Sequence, residues 1–250
     1  MLERVNERRG ALIGLAVGVM APGLALAARP RLTLANGAAP PLTSAPGRPG
    51  FLDLLIPEVF GRVGLDVTLI PLPFERSLLN VNAGIDDGDT FRASGFEKDY
   101  PNLVRVPEKV LDYDFVAYAT RPEVQVRQWS DLARYSVGYV GGWKIYERNA
   151  AVARDVTTVR RIELLFPLLA NGRVDVALLD KWQALWLARE TGFAVRSLEP
   201  SLARVPMFTY LHRGHEALVQ PLAAALAQAK RDGTWQRLYD QVLKPLEAVR

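Results

Sequence analysis

Two histidines, His212 and His215, stand three residues apart, and the 250-residue chain has no cysteine. Without thiols there is no disulfide, no thiol nucleophile and no thiolate metal site. A histidine pair at this spacing could share a metal, but zinc takes three or four protein ligands, so a solvated loop or helix start is the better reading. A Ser-His-Asp triad has to draw on one of the same two rings, and no G-x-S-x-G segment presents a serine. Neither metal nor cofactor is expected. What remains is the chemistry of charge and hydrogen bonding. Glu75, Asp89 and Asp180 are carboxylates that a closed site could tune as acids or bases. Gly141-Gly142-Trp143-Lys144 ends a strand pattern and opens a helix pattern, where free N–H groups and the helix dipole favour an anionic group. Glycine there also allows close approach of a ligand to the backbone, although a plain tight turn explains the pair equally well.

The elements that position such groups follow from periodicity. Strand patterns occur at 32–35, 67–71, 115–119, 137–140, 174–179 and 207–211, with a possible edge strand at 103–106. Helical patterns occupy 51–63, 74–83, 143–152, 162–170, 182–190, 216–230 and 235–246. Strands and helices therefore alternate, which predicts an α/β fold with parallel sheets covered by helices. There is also an internal echo. One helix leads into Gly84-Ile85-Asp86-Asp87 and another into Gly172-Arg173-Val174-Asp175, so each is followed by G-x-x-D. The glycine can end the helix in a left-handed conformation and the aspartate can fix the turn into the next strand. Two similar units predict two similar lobes.

The chain's ends and charge bound its setting. Arg4, Arg8 and Arg9 precede an apolar run from Ala11 to Ala21, and Ala25-Leu26-Ala27 offers a small-x-small cleavage pattern. Residues 1–27 therefore read as a signal peptide removed after Ala27, and the mature protein as periplasmic. A buried helix or a membrane anchor is the alternative, and Arg8-Arg9 leaves open a twin-arginine route. Lys and Arg number 31 against 27 Asp and Glu, a net charge of +4, with the signs mixed along the chain. That excludes the basic stripe of a nucleic-acid binder and gives no ground for membrane-surface binding.

The ordered motifs resemble those of the periplasmic solute-binding proteins of ABC importers, in the amino-acid-binding branch (family 3). The resemblance covers nearly all of the mature chain. It runs from Leu32–Pro41 through Pro73-Phe74-Glu75-Arg76-Ser77-Leu78 with Gly84, Tyr100-Pro101-Asn102-Leu103 and Val137-Gly138-Tyr139-Val140-Gly141-Gly142. It continues with Gly172-Arg173-Val174-Asp175 and ends with Lys230-Arg231-Asp232-Gly233-Thr234 and the closing helix. The resemblance implies a two-lobe type II fold, each lobe a sheet flanked by helices. It implies crossings near Tyr118–Arg121 and Phe208–Leu211, one lobe from 28–118 plus 212–250, and the other from 119–211. It implies a monomer that closes over a small polar solute, such as an amino acid, and delivers it to a membrane permease. Exported enzymes such as cyclohexadienyl dehydratases share the fold, as do sensory ligand-binding modules, and these are the rival readings.

The resemblance also assigns roles. Arg92 takes the position of the arginine that pairs with a ligand carboxylate, for which its planar fork is suited. Its neighbours depart from the pattern, since Gly88 and Asp89 stand where Ser or Thr hydroxyls are usual. Arg92→Ala is accordingly expected to weaken carboxylate binding and leave the fold intact. Asp180, at the end of a strand, takes the position of the acid that receives an ammonium, and it can also cap the next helix. Phe74 covers the ligand or fills the core. Arg76 lines the cleft or pairs with Asp87 or Asp89. Trp143 stacks on a ligand or packs between the lobes, whereas Trp182, Trp186 and Trp235 read as core.

Overall fold

The computed structural model describes residues 29–37 and 39–248. The signal-peptide segment, 1–27, lies outside the described residues. The chain opens with β1 (Arg31–Asn36), α1 (Phe51–Gly61), β2 (Asp66–Pro71), α2 (Phe74–Asn82) and β3 (Gly88–Ala93). After β4 (Leu103–Arg105) and β5 (Leu111–Ala119) come β6 (Ser136–Val140), α3 (Lys144–Asn149), β7 (Asp155–Val159), α4 (Leu165–Ala170), β8 (Val176–Asp180) and α5 (Lys181–Thr191). The long β9 (Arg196–His212) leads to α6 (Val219–Arg231), α7 (Thr234–Val242) and α8 (Lys244–Glu247).

The echo in the sequence is an echo in space. In the first unit β1 lies between β2 and β3, all parallel; in the second β6 lies between β7 and β8, all parallel. Gly84 and Gly172 both have positive φ, 71° and 62°, so each helix ends in the left-handed turn that glycine adopts without a Cβ clash. The aspartate three residues on does the same work in both units. Asp87 accepts from the Thr33 N–H at 2.7 Å and Asp175 from the Ser136 N–H at 2.9 Å, clamping the start of the neighbouring parallel strand.

Each parallel trio is extended by an antiparallel strand. β9 adds to β3 and β5 adds to β8, and β5 and β9 pair with each other to join the halves into one sheet of order β2-β1-β3-β9-β5-β8-β6-β7, with β4 on β9. The sheet is therefore mixed rather than parallel. Residues 115–118 of β5 lie against β8, while Met207–Leu211 of β9 lie against β3 and β5. β5 pairs with β9 from Leu111 to Ala119 and gains β8 at Phe115, while β9 passes from β5 to β3 at Met207. The N-terminal half of β9 is largely exposed, with Leu198 its one buried residue, and is held in strand by pairing with β5 rather than by an apolar alternation of its own.

α1 is the anchor of the first half. Leu52, Leu55, Ile56, Val59 and Phe60 form its buried stripe, and Asp53 accepts from the Gly50 N–H at 3.0 Å to close the first turn. Gly50 has an ordinary φ of −82°, so its requirement is space: a Cβ there would stand 2.2 Å from the Thr43 carbonyl carbon. Gly50→Ala is expected to destabilise by about 3 kcal/mol through overpacking, read as a lower urea midpoint. An unchanged midpoint would show that the 43–50 loop yields freely.

Candidate functional site

The carboxyl ends of β6 and β8 and the middle of β5 meet under an aromatic cluster. Tyr113 of β5 stacks on Trp143 at 6.0 Å and meets Phe91 of β3 edge-on at 5.3 Å. Phe115 packs edge-on against both Trp143 and Tyr146, at 5.8 and 5.5 Å. Trp143 therefore packs on β5. Phe115 is the β5 residue directly opposite Asp180 of β8, so both side chains rise on the same face of the sheet.

Asp180 is 1% exposed. One carboxylate oxygen caps α5, accepting from the Trp182 and Gln183 N–H groups at 3.1 and 3.0 Å. The other oxygen, Oδ2, is buried without a hydrogen-bond partner, and so is the Tyr146 hydroxyl. Burial drives the Asp180 pKa from 3.8 up to about 7, against the lowering effect of the Gln183 N–H, the Tyr113 hydroxyl and the Trp182 N–H. Burial, with the Asp180 charge next, holds the Tyr113 and Tyr146 phenols well above their ordinary value, so both keep their protons. Tyr113 accepts from the Gln183 side chain at 3.2 Å. Asp180 thus caps α5 with one oxygen and leaves the other without a partner.

Arg92 is placed differently from its expected position on an irregular cleft lip. It lies in β3, with a side chain 3% exposed, and it pairs with Asp89, which is 0% exposed. Nε donates to Asp89 Oδ2 at 2.9 Å, and Nη2 approaches the same oxygen at 2.8 Å and donates to the Ser77 hydroxyl. Asp89 also accepts from Ser77 Oγ at 2.8 Å and from the Phe91 N–H at 3.1 Å. The Phe74 ring lies over the guanidinium, 4.0 Å from its carbon, while packing against the small core of Leu78, Val81 and Tyr210. On Gly37 a Cβ would come 2.7 Å from Nη2.

The remaining carried-over residues separate. Both glycine N–H groups are already used, Gly141 by the Val159 carbonyl at 3.0 Å and Gly142 by Glu147 Oε1 at 2.9 Å. A carboxylate of the chain itself thus occupies the place expected for a ligand anion. Arg76 is exposed on α2, and its two expected partners are engaged elsewhere, Asp89 by Arg92 and Asp87 by His215 at 2.7 Å. Glu75 and Lys144, both exposed, approach to 3.7 Å between the starts of α2 and α3. Trp182 is core, Trp235 packs on Phe51 at 5.6 Å, and Trp186 lies half-buried under Arg48. The sequence reading missed Asp89 as a partner, together with Ser77, Tyr113, Tyr146 and Gln183. A cue existed for Tyr113, which alternates with Phe115 on one face of β5.

Among the described residues no group of three or more His, Cys, Asp or Glu side chains could hold a metal, and no helix is long and apolar enough to cross a membrane. A groove of about 810 Å³ lies on the opposite face of β5, lined by Asp114, Val116 and Tyr118 with Ala184 and Ala188 of α5, and it includes none of the carried-over site residues.

No family model matches the chain. An uncharacterised protein of Shewanella oneidensis is 22% identical over 204 residues, 78% of this chain and 76% of that one. Among solved structures, an ancestral arginine-binding protein bound to glutamine has TM-score 0.70 at 20% identity, covering 86% of this chain and 98% of that one. A histidine kinase sensor domain with similarity to periplasmic binding proteins has TM-score 0.73 at 16% identity, covering 86% and 97%. The GluR0 ligand-binding core from Nostoc punctiforme, in complex with L-glutamate, has TM-score 0.69 at 19% identity, covering 85% and 99%. The chain has the fold of the periplasmic binding proteins, with two βαβαβ units joined through β5 and β9.

Proposed function

We propose that the chain is an extracytoplasmic solute-binding protein of the family 3 type, exported by a signal peptide cleaved after Ala27. It works as a monomer and without catalysis. Its two lobes meet at the middles of β5 and β9, close over a small polar solute, and hand it to an ABC permease. Asp180 carries the reading. A buried carboxylate that ends a strand, caps a helix with one oxygen and leaves the other without a donor is held at a loss of folding stability. Strand carboxyl ends are where open α/β sheets bind ligands, and a bound group that donates to Oδ2 removes the deficit. Closure then follows from the ligand's contacts with both lobes. The solved neighbours whose names state arginine, glutamine or glutamate as ligand support the class of solute.

Thermal unfolding against amino acids, peptides, organic acids and amines tests it. A ligand bound only by the folded protein adds about 2.7 kcal/mol at a hundredfold excess over its dissociation constant, a rise of roughly 5–10 °C for a chain of this size. A flat response across the panel defeats the reading. The likeness to a kinase sensor domain supports a second reading, capture for signalling. Uptake of labelled ligand by cells with and without the protein separates the two.

A further inference from the structure

Residues 42–50 (LTSAPGRPG) are turn formers almost throughout, and they fold into an arm between β1 and α1. At its tip Ala45 and Arg48 exchange backbone hydrogen bonds at 3.0 and 2.9 Å, and Gly47 has a φ of 75°. Pro46-Gly47 is the central pair that a type II turn takes. At its base the Phe51 and Leu52 N–H groups donate to the Pro41 and Leu42 carbonyls at 3.0 and 2.8 Å, which ties the arm to the start of α1. The turn carries Arg48 to α5. Its guanidinium lies over the Trp186 ring, 4.4 Å from the centroid, and Nη2 donates to Glu190 Oε2 at 2.9 Å. A cavity of about 260 Å³ lies between the arm, α5 and the α7–α8 corner, lined by Pro41, Pro49, Trp186, Val242 and Leu246. The arm thus stands off the helices beneath it and holds α5 through Arg48.

We propose that this arm is a latch: Arg48, held by the Trp186 ring and Glu190, favours the closed form of the two lobes before any ligand arrives. The inference rests on the two-lobe binding-protein reading above and adds a control on its closure. Among the described residues four sets of ion pairs join 119–211 to the rest of the chain. Arg204 meets Asp112 and Asp114 on the paired strands β9 and β5 themselves. Lys181 meets Glu247 one residue beyond Asp180, which faces Phe115 at the joint, so a rotation there displaces it little. Glu75 and Lys144 stand 3.7 Å apart in water, where their attraction is screened. Glu190 is different, because it lies about 13 Å further along α5 than Lys181, at 1.5 Å per residue. The same rotation therefore moves it much further from Arg48. Opening breaks the ion pair and the cation–π contact together, and closing restores both. A contact made only in the closed form raises its population, tightens apparent affinity and slows ligand release.

The absence of native cysteine allows two introduced ones to carry spin labels cleanly. Leu79→Cys and Val152→Cys are exposed positions, one in each lobe, and pulsed electron paramagnetic resonance reads the distance between them in the ligand-free protein. The expected result is a near and a far population. Arg48→Gln and Glu190→Gln are each expected to shift their ratio about fivefold toward the far one. The double variant is expected to go little further than Arg48→Gln, because the two residues form one contact. Distances indifferent to both single variants overturn the latch, and so does a parent without the near population. Fully additive shifts overturn the pairing of Arg48 with Glu190. In each of these cases a ligand found in the thermal panel leaves the binding-protein reading standing. One unchanging distance in every variant, together with a flat panel, defeats both.

Discussion

Asp180→Asn raises the unfolding midpoint at about pH 8 and abolishes ligand binding together. The cap survives, because asparagine keeps an oxygen for the Trp182 and Gln183 N–H groups and is as good a cap as aspartate. What disappears is a buried charge. The Asp180 pKa rises from 3.8 to about 7 on folding, because burial disfavours the anion, a shift that corresponds to roughly 4 kcal/mol. The sign follows from proton binding. The folded state holds this proton more tightly than the unfolded chain, so the contribution is fully present below the unfolded value and is lost as pH rises through about 7. The native protein therefore weakens between about pH 4 and pH 8, and the variant has no such titration. After allowing for the lost attraction of an anion to the helix N-terminus, the variant gains roughly 2–4 kcal/mol at about pH 8 and little at about pH 4. Calorimetric scans of both proteins across that range settle it. A variant less stable than the parent at the alkaline end, or with the parent's pH dependence, removes Asp180 as the strained group.

Arg92→Ala gives the opposite outcome, and it departs from the expectation that the fold would be indifferent. The Arg92–Asp89 pair is buried on both sides, at 3% and 0% exposure. Removing one partner of such a pair strands the other charge, a loss of about 3–5 kcal/mol. Removing both together is far milder, because no charge is then left to desolvate. Arg92→Met with Asp89→Leu is therefore expected to recover most of the loss, with a coupling above about 2 kcal/mol in a double-mutant cycle. Urea unfolding of the four proteins measures it. A single variant within about 1 kcal/mol of the parent would mean that the pair is not the buried unit described. Loss of binding in Arg92→Ala is thus a poor reporter of carboxylate contact.

The two cases show why the site was half legible. In an unbroken strand, residues three apart face opposite sides, so Asp89 and Arg92 would not meet. The register shift between them on β9 turns both to one side. Nothing in Gly88-Asp89-Thr90-Phe91-Arg92 announces that shift, and the segment lacks the strand formers that would have marked β3. Phe74 was read as an aromatic that covers the ligand or fills the core, but its place over the guanidinium depends on α2 docking against β3. The Gly-Gly turn was legible as a turn. Its loss as an anion site comes from Glu147, five residues on, folding back to it.

The sequence alone determined the alternation of strands and helices, the paired G-x-x-D turns and the absence of thiol chemistry, since each depends on residue types a few positions apart. The bulk of the fold followed from these through resemblance. Tertiary structure decided the rest. It set the length of β9, whose N-terminal half lacks an apolar pattern and exists through pairing with β5. It gave Arg92 a buried partner and left Asp180 Oδ2 without one. Hydrogen-bond satisfaction and burial are properties of neighbours brought together from distant positions, and those neighbours separate a charge that is paired within the fold from one left without a partner.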